Sequence, residues 1–126
     1  MSISELDGLR ILLVEDEYLP AVEVAEMLHL LGVEVIGPVP DLDSALNAVS
    51  DELLDGAILD VNLRGEAVFP VAERLLARNT PFLFATGYDE WVLPEKFRDH
   101  PRLTKPFDRL SLERVTAAAL RRVNGG

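Results

Sequence analysis

Three short apolar runs and one mixed run in this chain each stop at a residue that could do chemistry. Ile11-Leu12-Leu13-Val14 stops at Glu15-Asp16-Glu17, and Gly56-Ala57-Ile58-Leu59 stops at Asp60. Phe82-Leu83-Phe84-Ala85 stops at Thr86-Gly87, and Arg102-Leu103-Thr104 stops at Lys105-Pro106. A short apolar run bounded by turn chemistry reads as a buried strand. Carboxylates, a hydroxyl and a lysine at one place would suit phosphoryl transfer, which needs positioning and charge neutralisation more than covalent help. Aspartate can itself be the nucleophile, forming an acyl phosphate. Like charges held close need a cation, and a hard ion such as Mg²⁺ takes oxygen ligands while keeping several waters. In that chemistry Asp60 attacks phosphorus in line. Asp16 and Asp60 hold Mg²⁺, Glu15 acts through water, and the Asn62 backbone carbonyl completes the metal shell. Lys105 pairs with one phosphoryl oxygen and Thr86 donates its hydroxyl to another.

These groups work together only if the fold brings them to one place. The first strand covers residues 10–14. Ala21, Val24, Ala25, Leu28 and Leu31 then recur at helical spacing, with Glu23, Glu26 and His29 largely on the other side. Asp16 or Glu17 is expected to cap this helix, and Gly32 to close it. A second strand over 33–37 leads to a helix marked by Leu42, Ala45, Leu46 and Val49, capped near Asp41 or Asp43. The strand ending at Asp60 comes next, then a helix carrying Val68, Val71, Ala72 and Leu75, with Pro70 in its first turn. After the strand ending at Thr86, residues 88–100 have poor periodicity and predict one short helix with irregular chain. The strand at 102–104 precedes a last helix with Leu112, Val115, Thr116, Ala119 and Leu120.

Alternating strands and helices imply right-handed βαβ units on a parallel sheet. The expected fold is α/β, a doubly wound (βα)5 flavodoxin-like sandwich with its parallel strands in the order 2-1-3-4-5. Its crevice opens between strands 1 and 3, which puts Glu15, Asp16 and Asp60 at one mouth. One domain over residues 1–126 is expected, with a core at about 9–123 and no output domain.

Composition narrows the function further. Twelve basic residues against 22 acidic ones give a formal charge of −10, which argues against a nucleic-acid partner and for a cationic one. There is no cysteine, hence no disulfide, thiolate metal site or thiol nucleophile. No apolar run reaches membrane-spanning length and residues 1–8 lack a signal-peptide pattern, so no membrane partner and a cytoplasmic location are expected. Only two of the basic residues are lysines, Lys96 and Lys105, which makes a lysine at a strand end harder to dismiss as surface charge.

Leu13-Val14-Glu15-Asp16, Leu59-Asp60-Val61, Thr86-Gly87 and Lys105-Pro106, in that order and at strand ends, resemble the receiver (REC) domain of two-component response regulators. The likeness covers nearly the whole chain. It implies phosphorylation of Asp60 by a sensor histidine kinase or histidine phosphotransfer protein, Mg²⁺ dependence, and slow self-dephosphorylation modulated by Asn62 and Tyr88. Phe84-Ala85-Thr86-Gly87-Tyr88, with Gly65-Glu66 and Pro70-Val71-Ala72, is similar to the single-domain receivers with a Phe-Ala-Thr-Gly-aromatic motif, which implies an HWE-type kinase partner. The position of the usual aromatic switch residue, three before the lysine, is Arg102. The resemblance therefore implies a phosphorelay adaptor, shuttle or phosphate sink, catalysing only its own phosphorylation and dephosphorylation. With the aromatic replaced, residues 88–100 are the natural segment for phosphate to order.

Each residue also has a plainer reading. Asp60 could be a solvated turn acid, Glu15-Asp16-Glu17 a capping charge run, Thr86 strand filler and Lys105 surface charge. His29 and His100 are isolated, and Trp91 reads as loop packing. Leu19, Pro106 and Phe107 are candidates for a kinase-docking surface, though an exposed apolar residue is ordinary. Two alternative functions follow: a pseudo-receiver that binds partners without phosphorylation, and a phospho-Asp phosphatase. The phosphatase wants a second acid two residues after the nucleophile, where Asn62 stands. A dinucleotide site lacks its Gly-rich loop after the first strand.

Overall fold

A computed structural model describes residues 4–87 and 93–124, with side chains to residue 121. Five parallel strands form one sheet: β1 Arg10–Val14, β2 Glu34–Val39, β3 Gly56–Asp60, β6 Phe82–Thr86 and β7 Arg102–Thr104. Their spatial order is β2-β1-β3-β6-β7. Two short strands, β4 Asn62–Leu63 and β5 Glu66–Ala67, form a separate antiparallel hairpin. With these set aside, the sheet has the expected 2-1-3-4-5 order.

The three central strands are apolar except at Arg10, Asp60 and Thr86 on their ends, because both of their faces are covered. Every residue of β3 and β6 is buried, as is β1 from Ile11 onward. Side chains alternate across the sheet. Leu12, Val14, Ala57, Leu59, Phe82 and Phe84 join a core with Ala45 and Val49 of α2 (Leu42–Asp51) and Val71, Ala72 and Leu75 of α3 (Phe69–Ala77). Ile11, Leu13, Ile58 and Leu83 face the other way, against Val24 and Leu28 of α1 (Tyr18–Leu30) and Leu112 and Leu120 of α4 (Arg109–Asn124). Leu6 packs into this second core, so the polar leader contributes an anchor.

Local signals set the helix starts. Asp41 caps α2, its Oδ1 accepting from the Ser44 N–H at 2.8 Å. Asp108 does the same for α4 through the Ser111 N–H, also at 2.8 Å. At α1 the expected carboxylate cap is not made: Glu17 stands at the N-cap without a side-chain bond, and Asp16 turns elsewhere. Strand β2 runs two residues beyond the expected end, through a cis Gly37-Pro38 bond, and at the sheet edge Pro38 can lack an N–H without costing a ladder bond. Among the described residues there are four α-helices, and the weak segment supplies a 3₁₀ turn at Glu95–Phe97. Tyr88 and Trp91 lie outside the described residues. No helix among the described residues is long and apolar enough to cross a membrane.

Candidate functional site

Sheet register delivers the predicted groups to one edge. Val14 pairs with Leu59, so Glu15 follows β1 beside Asp60 at the end of β3. Asp60 pairs with Ala85, and Thr86 with Thr104, immediately before Lys105. The Lys105 N–H donates to the Thr86 carbonyl at 2.7 Å, extending the ladder one residue beyond β7.

The side chains converge. Glu15, Asp16 and Asp60 each offer a carboxylate oxygen, all within 4.8 Å of one another. The Lys105 ammonium lies 2.7 Å from Glu15 Oε1 and 3.6 Å from Asp60 Oδ1. Glu15 and Asp60 are each 4% exposed, unusual for carboxyls with a single cation between them. Thr86 is buried at the same edge.

This crowding moves proton affinities. Burial, and then the charge on Glu15, push Asp60 up to about 8, against the pull of Lys105. Burial is the largest cause, the Glu15 charge adds to it, and the Lys105 charge opposes both. For Lys105 itself, burial works against the charge, but the hydrogen bond to Glu15 and the charges of Asp60 and Glu15 outweigh it and raise its pKa. Three carboxylates and one ammonium therefore leave two uncompensated negative charges whenever all are ionised. All three acids present hard oxygen donors, so a small divalent cation fits, and Mg²⁺ suits a site with few protein ligands.

The other predicted residues have other engagements. The Asn62 side chain is committed to its own turn, its Oδ1 accepting from the Gly65 N–H at 3.0 Å. Arg102 is exposed, and its Nη2 donates to the Arg98 carbonyl at 3.0 Å, capping the 3₁₀ turn rather than reaching Thr86. Tyr88 lies outside the described residues. Glu17 points to solvent, its N–H donating to Glu15 Oε2 at 3.1 Å.

Sequence reasoning missed one contributor. The Arg64 N–H, in the tip of the β4–β5 hairpin, donates to Asp16 Oδ2 at 2.9 Å. The dipeptide Arg64-Gly65 was the available signal, since a residue-Gly pair is a two-residue hairpin loop in the right setting. Strands of two residues are too short to show alternation. Beside the carboxylates, Pro20 and Met27 of α1 face Lys105, Pro106 and Phe107 across a groove of about 170 Å³. A larger hollow of about 470 Å³, bounded by Val22, His29, Leu30 and Pro38, lies on the outer side of α1 and holds none of the site residues.

No protein-family profile matches the chain. The sensory transduction protein LytT of Bacillus subtilis is 38% identical over 104 residues, 79% of this chain and 43% of LytT, so the chain spans less than half the length of that relative. SdrG from Sphingomonas melonis Fr1 is 44% identical in its solution structure, with 94% of this chain and 98% of that one covered and a TM-score of 0.81. Its BeF3-activated conformation is similar at a TM-score of 0.76. The receiver domain of the sensor histidine kinase PA1611 from Pseudomonas aeruginosa, with a magnesium ion coordinated in its active-site cleft, is 25% identical, with 94% and 99% covered and a TM-score of 0.73.

Proposed function

Because the chain belongs to the receiver (REC) domain family of response regulators, we propose that it accepts a phosphoryl group on Asp60 from a phosphohistidine donor. The observation that carries this is the convergence of Glu15, Asp16, Asp60 and Lys105 from the ends of three strands. The BeF3-activated conformation of SdrG and the magnesium ion in the active-site cleft of the PA1611 receiver support metal-dependent phosphoryl chemistry as the reading for this chain.

In this reading an Asp60 carboxylate oxygen attacks phosphorus as the P–N bond to the donor imidazole breaks, and the imidazole leaves. Lys105, already 3.6 Å from Asp60, transfers part of its pairing from Glu15 to a phosphoryl oxygen. Thr86 donates its hydroxyl to another oxygen. Asp16 and Asp60 would hold Mg²⁺, with Glu15 acting through water and the Asn62 carbonyl as a further ligand, and the bound ion would supply compensating charge for the phosphoryl oxygens. Burial keeps water from the acyl phosphate, and Tyr88 modulates what access remains.

The donor is a histidine kinase of the HWE type or a histidine phosphotransfer protein, met in the cytoplasm. The groove between α1 and the β7–α4 loop is mostly apolar, with Glu23 and Lys105 also in its lining, so a docked donor would bring its imidazole to the Lys105 rim. Exposed Leu19 beside it extends that surface. Output is through partner binding, onward transfer or competition for the kinase.

The test is incubation with Mg²⁺ and a small acyl-phosphate donor, read by intact mass. The native chain gains one phosphate and Asp60→Asn gains none. A phosphate on both chains, or on neither, overturns the assignment.

A further inference from the structure

We propose that the β4–β5 hairpin is a positioning device for Asp16, and that Asn62 and Gly65 act on metal binding through it. The inference rests on the metal-dependent reading above and adds residues to it. Asp16 follows β1 in a loop, half-buried, with two free side-chain torsions. Left alone it would sample several rotamers, each costing metal affinity. The Arg64 N–H holds Oδ2 at 2.9 Å, which leaves the other oxygen for a cation. The donor comes from 48 residues away, so it joins the ends of β1 and β3 across the mouth.

The hairpin can hold that donor still because it is fixed at both ends. At its base the Val68 N–H bonds the Val61 carbonyl at 2.9 Å, and Leu63 and Val68 are sunk in the core. At its tip Arg64 and Gly65 both have positive φ, 53° and 86°, the type I′ geometry that suits a two-residue loop. The Asn62 carboxamide locks that tip by accepting from the Gly65 N–H. Asn62 thus spends its oxygen on the loop that presents Arg64 to Asp16. The arrangement resembles the outer partners of metal ligands, whose loss weakens binding by about 10–100-fold.

Three variants of the full chain separate this role from general folding. Gly65→Ala has open space around its new methyl, so its cost is confined to the backbone at positive φ. Asn62→Ala removes the lock. Arg64→Gly keeps the N–H and relieves the strain of a side chain at positive φ. Mg²⁺ affinity is measured by calorimetric titration, and the residue-64 amide by hydrogen exchange. The expected result is slow exchange at residue 64 in the native chain, with faster exchange and Mg²⁺ binding weakened about 3–30-fold in Gly65→Ala and Asn62→Ala. Arg64→Gly binds Mg²⁺ as tightly as the native chain or tighter, and adding it to Asn62→Ala restores part of the loss. Unchanged affinity in Gly65→Ala and Asn62→Ala despite fast exchange at residue 64 overturns the inference. So does a residue-64 amide that exchanges freely in the native chain. Loss of Mg²⁺ affinity as described in a chain whose Asp60 takes no phosphate overturns the phosphoacceptor reading and leaves this one standing.

Discussion

Asp60→Asn is expected to make the metal-free protein more stable at neutral pH, although it removes the proposed phosphoacceptor. Asp60 ionises near 3.8 in the unfolded chain and at about 8 in the folded one. The folded state therefore holds a proton that the unfolded state has given up. The sign follows: stability is full below pH 3.8, falls as pH rises, and levels off above about 8. At roughly 1.4 kcal/mol per pKa unit, the penalty reaches about 4 kcal/mol at pH 7 and under about 2 kcal/mol at pH 5. These are ceilings, because water penetration and side-chain relaxation return part of the cost.

A realised gain of about 1–3 kcal/mol in Asp60→Asn at pH 7.5 corresponds to a melting temperature higher by about 3–15 °C in a domain of this size. Thermal unfolding of both chains in EDTA from pH 5 to 8.5 reads this directly. The gap widens with pH, since asparagine carries no proton to lose. Saturating Mg²⁺ closes it, because the ion favours the carboxylate and binds the native chain better. A variant no more stable than the native chain at any pH, or a gap that does not change with pH, refutes the argument that burial and Glu15 dominate over Lys105 at this carboxyl.

Other outcomes follow from the same electrostatics. Mg²⁺ must displace the Asp60 proton, so its affinity falls by up to about tenfold per pH unit below about 8, and the dependence flattens in Asp60→Asn; titrations at pH 6, 7 and 8 check both. Lys105→Met leaves the buried Glu15 carboxylate without its 2.7 Å partner and costs about 1–3 kcal/mol in urea unfolding, while Glu15→Gln in the same chain recovers most of it. A loss that Glu15→Gln does not recover would assign the effect to lost packing of the lysine stem instead. Phosphotransfer is expected to fall in Lys105→Met with or without that recovery, which separates the proposed phosphoryl pairing of Lys105 from its structural role.

The sheet and the carboxylate cluster were legible in the sequence for one reason. Parallel strands buried on both faces must be apolar from end to end, so the residue at which polarity returns marks the carboxyl edge. Glu15, Asp60, Thr86 and Lys105 could be placed together without knowing any contact, because the strand order alone brings those ends to one mouth. The α2 start was legible at Asp41 because its partner Ser44 is three residues away. Asp16 was placed at that mouth too, but its hydrogen-bond partner was not legible. As a local residue it reads as the α1 cap, yet its carboxylate bonds the N–H of Arg64, a partner no local rule can nominate. The hairpin was hidden for a related reason, since its strands are two residues each and its stability comes from Leu63 and Val68 in the core.

Arg102 shows where residue type misleads and geometry informs. An arginine in place of an aromatic switch residue could be read as a long arm reaching the phosphate. It is exposed at the start of an edge strand, paired with Phe84 rather than beside Thr86, and its guanidinium closes the 3₁₀ turn through the Arg98 carbonyl. That bond ties β7 to the segment at Glu95–Phe97, whose Phe97 ring packs 5.6 Å from Phe84 in the strand that ends at Thr86. A shift at Thr86 would thus be felt first by the aromatic packing behind it and then by the turn that Arg102 caps. At the position where the family resemblance expects an aromatic, this chain has a charged side chain that caps a packed turn.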